Sequence, residues 1–257
     1  MSPRAAPAPL LIACALGIER LALRERGRGG TGGPVTVLRT GMGPAAAERS
    51  VTRALAGPAL RDAAVLATGF CAGLAPGMHP GDLVVAGETR DPRGSVPCVG
   101  TDLLVKELAR VAPGRTVHTG PLTGSEHVVR GHERYELLAT GAIAVDMESA
   151  ATLLSAVRAG ARPVAAVRVV VDAPEHELVR IGTLRGGISA FRVLRSVLPA
   201  YLEWHRSLLL PGGEPDGHAA ASVHQDRYIL GRTEAPTSGK VPADRRAGTA
   251  LRLQPRL

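Results

Sequence analysis

Short apolar runs that stop at charged residues and then give way to helix-like segments constrain this chain more than any other feature. Ala142, Ile143, Ala144 and Val145 read as a buried strand that meets Asp146, Met147 and Glu148 ahead of an alanine-rich stretch, and Val164 to Val171 repeat the pattern and stop at Asp172. Further strand-like runs at Leu10 to Ala15, Val35 to Thr40, Ala64 to Thr68, Leu83 to Ala86 and Val117 to Pro121 alternate with helix-like segments. The clearest of these are Pro44 to Leu55, Thr101 to Val111, Glu148 to Ala159 and Ile188 to Arg206. This rhythm predicts an α/β fold. Ligands of such folds gather at the carboxyl ends of strands. Glu148 and Asp172, expected at the ends of consecutive strands of one sheet, therefore mark the candidate site.

Composition narrows the function classes. The chain has 257 residues, of which 45% are hydrophobic, enough for a sizeable core. We expect one domain over residues 1–210 and a disordered tail over 211–257, where Gly, Pro, Ala, Ser and isolated charges replace apolar periodicity. The net charge of +8 is spread without clustering, and aromatic residues are only 2% of the chain, too few for a stacking platform. A nucleic-acid partner is not expected. Cys14, Cys71 and Cys98 are too few and too far apart for a disulfide framework or a zinc site, and no metal is implied. Leu11 to Cys14 resembles a lipoprotein cleavage box, but the apolar run before it is too short for a signal core, so Leu10 to Leu16 reads as a first buried strand. With no segment long enough to span a membrane, a cytoplasmic protein is expected. The glycine-rich Gly27 to Gly33 lacks a P-loop lysine and reads as a flexible connection, and no complete dinucleotide fingerprint supports an oxidoreductase.

Two more segments join the pair of acids. TGMGPAAAERS, Thr40 to Ser50, is a strand end, a glycine turn and a helix start, where backbone amides can approach a ligand closely. ATGFCAGLAPGMHPGDLVV, Ala67 to Val85, repeats the strand-to-glycine step and leads through a loop into a new strand at Asp82. Taken singly the acids have bland readings: Glu148 as a first-turn glutamate, Asp172 as a loop residue ahead of Pro174, Glu19 as a surface partner of Arg20 or Arg24.

In this order, over about residues 8 to 208, the segments resemble the nucleoside phosphorylase and nucleosidase superfamily. The resemblance is greatest to methylthioadenosine/S-adenosylhomocysteine nucleosidases and hopanoid-biosynthesis-associated phosphorylases. It implies a three-layer fold with a central mixed, partly barrel-like sheet flanked by helices. It also implies roles: Met147 and Glu148 hold the ribose, Asp172 protonates purine nitrogen 7 as the base leaves, and Glu19 positions and deprotonates water. Arg168 matches an arginine near the site. Gly69 and Val128 would offer backbone contacts around the base and the nucleophile, and His127 would stack on the base. The chemistry suits these residue types, because N-glycosidic cleavage passes through an oxocarbenium-like sugar and a base that must accept charge.

Departures bear on the reaction. Phe70 stands where many relatives have a small hydroxyl residue beside the nucleophile and cannot donate to phosphate, and Val171 replaces a serine before the catalytic aspartate. These departures fit the hopanoid-associated branch, whose proposed role is to remove adenine from adenosylhopane and leave ribosylhopane or its phosphate; Phe70, Val171, Leu74 and Met78 could line an apolar exit. The resemblance thus implies no cofactor, with phosphate open as a co-substrate, a small nucleoside substrate, a homodimer, and a transient membrane-surface contact if the substrate is a hopanoid. Two alternatives stay open: a methylthioadenosine/S-adenosylhomocysteine nucleosidase, and a catalytically silent relative that binds a nucleoside or lipid.

Overall fold

The structure, a computed structural model, describes residues 8–24, 33–173 and 183–210, with the backbone alone over 183–188. In chain order the elements are β1 (Leu10–Cys14), α1 (Gly17–Ala22), β2 (Val35–Arg39), α2 (Pro44–Leu55), a short 3₁₀ turn (Pro58–Leu60), β3 (Ala64–Gly73), β4 (Leu83–Asp91), β5 (Gly94–Pro97), α3 (Thr101–Val111), β6 (Val117–Gly124), α4 (His132–Ala139), β7 (Ala144–Asp146), α5 (Ser149–Arg158), β8 (Val164–Asp172), α6 (Thr183–Ser196) and α7 (Leu198–Leu208). The expected connection at Gly27 to Gly33 falls almost wholly outside the described residues, as does the expected tail from Pro211.

The strands form one mixed sheet in the order β2-β1-β3-β7-β6-β4-β5, and β8 pairs with both β3 and β4. That double pairing closes β3, β8, β4, β6 and β7 into a five-strand barrel, with β1 and β2 extending from β3. Two irregularities accompany closure: β8 carries an extra residue, Val171, opposite the step from Cys71 to Ala72 of β3, and β4 carries one, Gly87, opposite the step from Gly120 to Pro121 of β6. A bulge bends and twists its strand locally, and β4 and β8 pair with each other in the barrel wall.

Alternation along the central strands divides the core. Leu10, Ile12, Leu66, Ala165, Val167 and Val169 face one apolar cluster with α3, α6 and α7, whereas Leu11, Ala13, Val65, Ala67, Val164 and Ala166 face a second with α2 and α5. Both faces are covered, so β1, β3 and β8 read as continuous apolar runs rather than alternating ones. The expected mixed, barrel-like sheet between helices is the observed architecture.

Several boundaries differ from the sequence reading. The expected helix from Ile188 to Arg206 is two helices broken at Val197, because Pro199 brings no backbone donor and sits comfortably only in the first turn of the new helix α7. The strands β3, β4 and β6 run on to Gly73, Asp91 and Gly124, while β7 starts two residues late at Ala144. Three short elements, α1, β5 and α4, were not expected. Nor are β7 and β8 neighbours. They flank β3, and Ala72 of β3 is in register with Val145 on one side and Asp172 on the other.

Helix α7 is anchored by Trp204, which is fully buried and donates from its indole nitrogen to the Val99 carbonyl at 2.9 Å. Gly100, with φ +68°, lets the indole approach so closely that a Cβ there would lie 2.6 Å from the indole nitrogen. Trp204→Ala is expected to destabilise the protein by about 3–5 kcal/mol, the range for deleting a large buried aromatic, read as a lower urea midpoint at unchanged slope.

Candidate active site

Arg168, on β8, is 1% exposed and sits among acids. Its Nε lies 2.6 Å from Asp146 Oδ2 and donates to Ser149 Oγ at 2.8 Å, and its Nη1 donates to the Thr68 carbonyl at 2.9 Å. Burial works against the charge, but Asp146, Glu148 and Glu19 outweigh it, and the net effect is to raise the arginine pKa. Thr68 is in turn held by a 2.8 Å hydrogen bond with Tyr201, a fully buried residue of α7. Asp146 caps the start of α5: its Oδ1 accepts the backbone N–H groups of Glu148 at 3.1 Å and Ser149 at 2.9 Å, while Oδ2 accepts the Ser149 hydroxyl.

Glu148 immediately precedes α5 and turns its carboxylate the other way. Its Oε1 accepts the Gly43 N–H at 2.8 Å, across the loop between β2 and α2. Gly43 has φ +86° and is followed by Pro44 in the first turn of α2, so the helix start offers an amide that no side chain of its own caps. Burial raises the Glu148 pKa most, with Arg168 opposing and Asp146 adding; the Gly43 hydrogen bond also lowers it and Glu19 raises it.

Glu19 is 2% exposed despite lying in a six-residue helix. Its Oε2 accepts the N–H groups of Ala15 at 2.9 Å and Leu16 at 2.8 Å, and its Oε1 accepts that of Phe70 at 2.9 Å. The surface-partner reading is therefore set aside. Gly69 lies directly beneath: with φ +131°, a Cβ there would lie 2.5 Å from Glu19 Oε1 and 2.7 Å from Arg168 Nη1. Only glycine lets β3 pass both groups at that spacing.

Asp172 ends β8 and faces Arg134 of α4, with Arg134 Nη2 3.1 Å from Asp172 Oδ2 and Nη1 3.5 Å from Oδ1. Met147 is half-buried between Asp146 and Glu148, and Phe70 is half-buried against the α3/α6/α7 cluster, contributing its backbone amide to Glu19. His127 and Val128 lie on an exposed stretch, where His127 Nε2 is 3.0 Å from Glu133 Oε2.

Of the expected residues, Glu19, Gly69, Phe70, Glu148 and Arg168 converge on one buried cluster. Asp172 lies further along β8 than Arg168, and His127 and Val128 make no described contact with the cluster. The sequence reading missed Asp146 and Ser149, although an aspartate three residues ahead of a serine at a strand end is a helix-capping signal. It also missed Arg134. The described residues hold no group of three or more His, Cys, Asp or Glu side chains suited to a metal. Burial pushes the Cys14 and Cys98 thiols up to about 12, away from the thiolate form. Among the described residues no helix is long and apolar enough to cross a membrane.

The sequence model of the phosphorylase superfamily matches residues 23–198. No curated protein matches the chain. Among solved structures, 5′-methylthioadenosine/S-adenosylhomocysteine nucleosidase from Neisseria meningitidis is 19% identical with a TM-score of 0.62, the match covering 76% of this chain and 98% of that one. The futalosine hydrolase of Helicobacter pylori is 17% identical with a TM-score of 0.62, covering 76% and 97%. The corresponding nucleosidase of S. pneumoniae is 20% identical with a TM-score of 0.60, covering 76% and 98%. At these identities the likeness is one of fold.

The raised pKa of Glu148 has a stability consequence. A folded-state value above the unfolded one means that the native state binds the proton more tightly, so the penalty is full above the folded value and relaxes as pH falls through it. Glu148→Gln, which keeps an acceptor for Gly43, is expected to melt no lower than the wild type at pH 7, with the difference narrowing on acidification. A variant that melts well below wild type at pH 7 would show that the charge stabilises the fold.

Proposed function

The chain belongs to the phosphorylase superfamily and is an enzyme of the N-glycosyl hydrolase and nucleoside phosphorylase kind; on that premise we propose that it releases adenine from a 5′-modified adenosine, with adenosylhopane as the substrate and ribosylhopane as the product. The observation that carries this reading is the joining of Glu19 and Glu148 around Arg168, with Asp172 at the end of the strand that carries Arg168, β8. Scattered surface acids would not be buried about one guanidinium.

Cleavage needs help at three atoms. Glu148, reaching past the β2–α2 loop, accepts the ribose hydroxyls and lends negative charge to the electron-poor sugar. Met147 covers the ribose beside it. Glu19, fixed by three backbone donors, takes the proton of the attacking water. Asp172 meets the base, where in its acid form it would protonate nitrogen 7.

Water fits this site better than phosphate. Arg168 is already matched by Asp146, Gly43 already donates to Glu148, and Phe70 supplies no side-chain donor, so a phosphate dianion would meet uncompensated carboxylates. No cofactor is required by this chemistry. The same reading has the enzyme acting in the cytoplasm as a homodimer and meeting a hopanoid at a membrane surface. Ile18, Leu21 and Met42, exposed just beyond the carboxyl ends of β1 and β2, provide an apolar rim suited to such a substrate.

The test is adenine release from adenosylhopane and from 5′-methylthioadenosine, each with and without phosphate. Release from adenosylhopane without phosphate is expected; release from 5′-methylthioadenosine alone would move the substrate to the methylthioadenosine nucleosidases, and release from neither would favour a silent relative. Asp172→Asn is expected to lower turnover about 100-fold to 10,000-fold, and a near-normal rate would remove Asp172 from the mechanism.

A further inference from the structure

Three consecutive residues of β3 serve the buried cluster from the backbone. The Thr68 carbonyl accepts from Arg168 Nη1 at 2.9 Å, Gly69 passes both charged groups without a Cβ, and the Phe70 N–H donates to Glu19 Oε1 at 2.9 Å. The middle residue has φ +131° and, as a glycine, the freest backbone of any residue type. The orientation of the two peptide groups on either side of it therefore needs a fastening of its own. Thr68 supplies one. Its β-branched side chain is stiff about χ1, it is fully buried, and its hydroxyl lies 2.8 Å from that of Tyr201.

Tyr201 comes from α7, and that helix is itself held firmly on the same face. Tyr201, Trp204 and His205 are spaced i, i+3 and i+4, so they share one side of the helix, and all are buried. The Trp204 indole donates to the Val99 carbonyl, and His205 Nε2 lies 2.9 Å from the Ala8 carbonyl. The Tyr201 ring packs in the apolar α3/α6/α7 cluster, where phenylalanine would fill the space equally well. Burial raises the Tyr201 pKa, so the hydroxyl keeps its proton across the working range. A hydroxyl buried there calls for a partner, and the partner it has is on the strand that builds the site.

We propose that Tyr201 is a positioning residue: through Thr68 it fixes the stretch of β3 backbone that places Glu19 and Arg168 for attack by water. This inference rests on the N-glycosidic reading above and deepens it. Tyr201 is fully buried and acts only through Thr68. Without its hydroxyl, Arg168 keeps Asp146 and Ser149, and Glu148 keeps Gly43, so the ribose side is little disturbed. What loosens is the backbone from Thr68 to Phe70 and, with it, the Glu19 oxygen that Phe70 holds. The signature of such a change is a slower chemical step at nearly unchanged substrate binding.

The experiment is a double-mutant cycle on Tyr201→Phe and Thr68→Val. Each variant is read for its urea midpoint and for kcat and KM of adenine release from the nucleoside that the wild type turns over. Each single change leaves one buried hydroxyl without its partner, whereas the double variant leaves none. Tyr201→Phe is expected to lower kcat about 10-fold to 100-fold, the scale of a small misplacement of a catalytic group, with KM within about threefold of wild type. The double variant is expected to regain most of the midpoint that the single variants lose, while its kcat stays low. A kcat that returns together with the midpoint would make the pair a packing feature only. An unchanged kcat in Tyr201→Phe, or a loss confined to KM, would equally overturn the positioning role, and each of these outcomes leaves the nucleosidase reading standing. A wild type that releases adenine from neither adenosylhopane nor 5′-methylthioadenosine would overturn both.

Discussion

The arrangement of this protein depends on one buried guanidinium. Arg168 sits in the middle of β8 with both faces of the sheet covered, where an unpaired charge would be untenable, and Asp146, Ser149 and Thr68 fasten it to β7, α5 and β3 together. Its partners are fixed in turn: Asp146 by the amides at the start of α5, Thr68 by Tyr201. The cation therefore locks the strand ends that the site is built on, and it allows Glu148 and Glu19 to lie in a buried cluster that would otherwise repel them.

Barrel closure decides which strand ends meet. Because β8 turns from β3 to pair antiparallel with β4, and β7 pairs antiparallel with β3 on its other side, the carboxylates that end β7 and β8 are separated by one strand rather than adjacent. Gly69 lies on that intervening strand, and opposite its step from Cys71 to Ala72 the neighbouring β8 carries one extra residue, Val171.

Much of this was readable in the residues, and the failures have physical causes. Helices α2 and α3 match their predicted bounds because proline or glycine stands at their starts and the apolar spacing is regular. Glu148 and Asp172 were legible as charges at the ends of apolar runs. The break at Val197 was signalled by Pro199, but the apolar periodicity of α6 continues into α7 and hides it. β5 is four residues long and mostly exposed, so no alternation marks it. Glu19 was legible only through resemblance, since burial of a charge in a six-residue helix depends on amides from Ala15, Leu16 and Phe70 that no local pattern predicts.

Arg134 was invisible for the opposite reason. In GHERYELLA its neighbours are charged and the helix is weakly amphipathic, so the sequence suggests a solvated face. Yet Arg134 shares the buried side of α4 with Leu137 and Leu138, which pack on Leu74, Val129, Ala142 and Val145, and it is carried into the interior by that apolar contact. The packing of a short helix has thus placed a cation where the fold alone gives it incomplete bonding. Local stability would favour a leucine or a better-paired arginine at such a position. This incomplete bonding sets Arg134 apart from Arg168, whose buried charge is matched by Asp146 and whose Nε and Nη1 both have acceptors.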